Sequence, residues 1–147
     1  MNGTDTVDLL QQVSKGLHMA IFSFDDLIGD VRNPALRKVL EESRDDHKRL
    51  LNENSNILKG YHQNDRDIGA MTKLMAHMSA DMKLDINDSD RVIANIITKG
   101  CDTGIRNLRK YVNEYAASDL AAWNFLLYVP VAGISSGCVL GTAAGGS

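Results

Sequence analysis

The sequence predicts an all-α protein, an antiparallel bundle of amphipathic helices, and three observations carry that reading. Apolar residues recur at steps of three and four from Leu10 to Tyr115, the spacing that gathers them on one side of a 3.6-residue helix. Two prolines and 5% aromatic residues oppose a β-sandwich, which needs many short strands and frequent turn residues. With 147 residues, 44% hydrophobic and 24% charged, the chain has the size and balance of one globular domain able to bury its own core.

The first helix is expected over about Thr6 to Asp30. Leu10, Val13, Leu17, Ala20, Phe24, Leu27 and Val31 form one stripe, widened by Leu9, Ile21 and Ile28. Asp8, Gln12, Lys15, Asp25 and Asp26 take the wet positions between them. Asn33 and Pro34 then supply a side-chain cap and a first-turn proline, so a second helix starts at once and runs antiparallel to the first.

The second stripe reads Leu36, Leu40, Ser43, His47, Leu50, Asn54, Ile57 and Tyr61, with three polar residues in its middle. Ser43, His47 and Asn54 are read as a polar core layer that sets helix register. Gly60 and the polar run from His62 to Asp67 end this helix. Beyond it Ile68, Met71, Met75, Met78 and Met82 mark a shorter amphipathic helix, its methionines being core filler at helical spacing.

Asn87 to Asp90 offer capping side chains for a new start. The stripe that follows, Ile93, Ile97, Gly100, Gly104, Leu108, Tyr111 and Tyr115, contains two glycines one turn apart. Each glycine costs a helix roughly 1 kcal/mol relative to alanine, so close packing of another backbone against Gly100 and Gly104 is the expected compensation. From Leu120 to Ser147 there is no charge, Pro130 interrupts any helix, and glycines recur every fourth position from Gly133 to Gly145. The division expected is a helical domain over residues 1–118 and an apolar, glycine-rich tail over 119–147.

The runs GLHMAIFSFDDLI (16–28), LRKVLEESRDDHKRLLNE (36–53) and MTKLMAHMSADMKLDINDSDRVIANIITKGCDTGIRNLRKYVNEY (71–115) carry a resemblance. In helix pattern, over about residues 6–118, the chain resembles bacterial proteins of the ferritin-like, rubrerythrin-related bundle type. That resemblance implies a ferritin-like antiparallel bundle closed by a last long helix rich in Glu and Lys. Here that last helix is absent or remodelled, because the uncharged tail stands in its place.

Ferritin-like di-metal sites use Glu-x-x-His, whose i, i+3 spacing aims both ligands into the bundle. His47 instead follows Arg44 by three residues, and Glu41 and Glu42 do not share its face. The remaining metal set is His47 with His77 and Asp81, which would hold iron, manganese or zinc. No cofactor is otherwise expected. No paired carboxylates, nucleophile with base, or phosphate-cradling loop can be assembled.

The charge run Asp45, Asp46, Lys48 and Arg49 reads as a solvated face with local ion pairs. A net charge of −3 without a Lys/Arg cluster excludes nucleic acid on electrostatic grounds. Cys101 and Cys138 lack metal-ligand spacing and read as idle thiols of a reducing compartment. The start MNGTDTVDLLQQ has no signal-peptide character, so a cytoplasmic location is expected.

The function these features suggest is that of a non-catalytic structural or protein-interaction bundle. Self-association through apolar surface left by the missing helix is its expected partnership. A metal-binding ferritin-like protein with redox or storage activity is the alternative. The second alternative is a bundle anchored to a membrane by its small-residue tail, which the tail's Pro130 and low apolar area disfavour.

Overall fold

A computed structural model describes residues 3–63 and 89–114 of the chain. These residues form three α-helices and one 3-10 turn, with no strand among them. Helix α1 spans Gly3–Leu27 and continues into the 3-10 turn Ile28–Asp30. It therefore begins three residues before the expected start and tightens at its end, where the Val31 N–H donates to Ile28 O at 3.2 Å. Such tightening gives a partner to a carbonyl that the helix end would otherwise leave open.

Helix α2 spans Pro34–Gly60 and begins as the sequence predicts. Asn33 adopts an extended backbone, and its Oδ1 accepts from Ala35 N–H at 2.9 Å and Leu36 N–H at 3.2 Å. A cap of this kind contributes about 1 kcal/mol. At the other end Gln63 N–H donates to Leu58 O and His62 N–H to Lys59 O. That pair of bonds needs a left-handed residue between helix and loop, and His62 takes it with φ 58. Gly60, the nearby residue best suited to that conformation, is instead spent inside the last helical turn.

Helix α3 spans Ser89–Glu114. The capping role expected of Asp90 is not what the carboxylate does. Its two oxygens reach across the fold and accept the N–H groups of Arg32 at 2.7 Å and Asn33 at 2.8 Å. Those are the turn amides between α1 and α2, so the start of α3 is tied to the turn of the hairpin.

The core consists of two clusters. One, near the turn, joins Phe24, Leu27, Ile28 and Val31 of the first helical segment to Leu36 and Leu40 of α2 and to Ile93, Ala94 and Ile97 of α3. The other joins Leu9, Leu10, Val13 and Leu17 to Leu50 and Leu58, with Leu108 and Tyr111 of α3 packed against it. Antiparallel order follows directly: α2 runs back along α1, and α3, starting at the turn, again runs antiparallel to α1. Each cluster buries large aliphatic side chains worth roughly 1.5–3 kcal/mol apiece, so the two clusters are the main source of stability.

Between the clusters α3 carries Gly100 and Gly104, which helical period places on the same stripe as Ile97 and Leu108. Both are exposed. Among the described residues no atom lies within 4 Å of where a Cβ on either would stand. No described element makes the close backbone approach expected there. The Met-rich stripe from Ile68 to Met82 and the tail from Leu120 lie outside the described residues.

Candidate functional site

The polar residues on the inward side of α2 are the candidate site. His47 stands beside the turn-side cluster, its ring 5.3 Å from that of Phe24 on α1 and inclined by 59°. Its Nδ1 lies 2.7 Å from the carbonyl of Ser43, one turn back on the same helix. A carbonyl can only accept, so Nδ1 carries the proton and the neutral ring keeps its lone pair on Nε2. Burial pushes the His47 pKa below its ordinary value of 6.5, against the opposing pull of the Ser43 carbonyl and the nearby Asp46 carboxylate.

Two cations flank this ring in sequence, and both turn to one carboxylate on α1. Arg44 Nη1 lies 3.4 Å and Lys48 Nζ 3.9 Å from Asp25 Oδ1, while Arg44 Nε lies 3.3 Å from Asp45. Asp46 pairs with Arg49 at 3.1 Å. The charge run is thus the solvated, ion-paired face its composition suggests, joined across the hairpin by Asp25. Pairs this exposed add little stability.

Asn54 is fully buried on the other side of the glycine gap. Its Nδ2 donates to the main-chain carbonyl of Leu10 on α1 at 2.9 Å. Its Oδ1 is buried as well and has no hydrogen-bond partner among the described residues. Ser43 is buried at 3% exposure, whereas His47 is half-buried. Ser43 and His47 adjoin, but Asn54 stands seven residues further along, about 10 Å up the axis, and bonds a different partner. His47 and Asn54 thus make separate polar contacts, one within α2 and one across to α1.

His77 and Asp81, which the sequence grouped with His47, lie outside the described residues. Among the described residues no three His, Cys, Asp or Glu side chains are placed to hold one metal ion. Cys101 is half-buried against the turn-side cluster, where burial and the Asp102 carboxylate push its thiol pKa up and keep it protonated. Three features escaped the sequence: Asp25 as the shared anion of the hairpin, the Leu10 carbonyl as the partner of Asn54, and Asp90 as a cross-fold acceptor. Only the first has a sequence signal, a carboxylate one residue from the inward Phe24.

No family model, no curated protein and no solved structure matches the chain. No helix among the described residues is long and apolar enough to cross a membrane.

Proposed function

We propose that the chain acts as a non-catalytic helical-bundle protein whose work is structural or lies in contact with other protein chains, itself included. The observation that carries this reading is the use made of His47. Its Nδ1 is committed to Ser43, its ring packs on Phe24, and the cations Arg44 and Lys48 stand on either side of it in sequence. Asn54, a fully buried polar side chain, is likewise turned to a main-chain partner within the hairpin.

The second reading is a ferritin-like metal-binding protein that holds iron, manganese or zinc at His47 with His77 and Asp81. One observation favours it. A histidine whose Nδ1–H is held by a main-chain carbonyl presents Nε2 in the orientation that metal ligands commonly use. Elemental analysis of protein expressed with each metal in excess separates the two. The structural reading expects no stoichiometric metal, together with association in sedimentation of the full chain as concentration rises. One or two ions per chain that disappear in His47→Ala would replace it with the metal reading, and a strict monomer at all concentrations would remove the self-association.

A further inference from the structure

We propose that Asn54 sets the rotation of α2 about its own axis against α1, at the end of the hairpin remote from the turn. The inference is independent of the proposed function and starts from the helical positions around Asn54. Leu50, Leu58 and Asn54 are buried, while Leu51, Ile57 and Tyr61 are half-buried and packed against the same cluster. At 100° per residue these six positions cover an arc of roughly 120°, and Asn54 lies at its middle.

So wide an apolar arc leaves rotation poorly specified. Turning α2 to favour Leu51 or Ile57 over Leu50 exchanges one aliphatic contact for another, and the hydrophobic term has no direction of its own. The turn and its Asn33 cap fix the near end of α2, but they lie 21 residues away along the helix, roughly 30 Å. The amide of Asn54 is different in kind. It reaches its acceptor, the Leu10 carbonyl, in one orientation only, and in any other it would bury two N–H donors without a partner.

The opposite surface is shaped for that contact. Side chains on a helix lean toward its N-terminus, so the residue one turn beyond Leu10 overlies the Leu10 carbonyl. That residue is Ser14, buried and small, so no bulky side chain is placed there. Asn54 Oδ1 is buried and has no partner among the described residues. A directional bond at the middle of an apolar arc fixes orientation in a way that aliphatic contacts do not.

The test uses the full chain with Asn54→Leu and Asn54→Ala, read by methyl-resolved NMR of the leucines and by urea denaturation. The wild type is expected to show one set of resonances for Leu50, Leu51 and Leu58. Both variants are expected to stay helical, Asn54→Leu with a midpoint equal to or above the wild type, while those methyl signals double or broaden. If Asn54→Leu does not fold, Asn54→Ala decides by the same spectra. A single sharp set in the folded variants overturns the proposal, and so does loss of folding in both, which would make the amide a source of stability and not of orientation.

Discussion

Replacing Gly100 and Gly104 by alanine, singly and together, should stabilise the protein. Neither glycine has a positive φ, both lie within α3, and no described atom stands within 4 Å of the Cβ each would gain. The gain is then the intrinsic difference between glycine and alanine in a helix interior, about 0.8–1.0 kcal/mol at each position. It arises mostly in the unfolded chain, which loses conformational freedom when the glycine is replaced. The two positions share no described packing partner, so the double variant should gain roughly 2 kcal/mol, additive to within about 0.5 kcal/mol. For a chain of this length that corresponds to a melting temperature raised by roughly 4–8 °C. Thermal unfolding followed by far-ultraviolet circular dichroism measures it. A lowered melting temperature in either single variant, with helix content retained, would show that a backbone does press on that glycine, as its period first suggests, and would refute the reasoning.

Two further outcomes follow from the hairpin. The folded state holds His47 below the ordinary histidine pKa, so the unfolded chain takes up its proton first as the solution is acidified. Stability from this residue is therefore complete above the ordinary value of 6.5 and falls as the pH drops from there toward the lowered folded value. Urea midpoints between about pH 8 and about pH 5 should show that decline in the wild type and a shallower one in His47→Gln; equal slopes would contradict it. His62→Gly should raise the urea midpoint by roughly 0.5–1 kcal/mol of stability, since glycine adopts the left-handed conformation of His62 without steric cost but is freer when unfolded. An unchanged or lowered midpoint would mean that the His62 side chain contributes more than its backbone strain removes.

What could be read from the sequence was the local part of the fold. Asn33-Pro34 announced the start of α2 because a capping side chain and a fixed φ act within a few residues, and they do so here regardless of what packs nearby. The stripes from Leu10 to Val31 and from Leu36 to Leu58 foretold most of the core for the same reason: burial follows period. The cross-chain contacts were not legible. Asp90 looked like a cap because aspartate near a helix start usually is one, and only the packing of α3 on α1 brings the amides of Arg32 and Asn33 within its reach. Helical period likewise puts Gly100 and Gly104 on one stripe, and no described residue packs against either. Ser43, His47 and Asn54 share a stripe, which suggested one layer. Their separation along the axis and their different acceptors, Ser43 O for His47 and Leu10 O for Asn54, depend on where α1 lies.

The clasp between Asp90 and the hairpin turn gives the protein an internal gauge. The Arg32 and Asn33 amides sit in an exposed turn and are held by a carboxylate that lies 58 and 57 residues later in the chain. Their shelter from solvent deuterium depends on α3 being docked, whereas the amides within α1 and α2 are sheltered by bonds of their own helices. When α3 lifts away while the hairpin stays closed, these two protons exchange and their neighbours do not. The exchange rate of two turn amides thus measures the free energy of releasing one helix, separately from that of unfolding the other two.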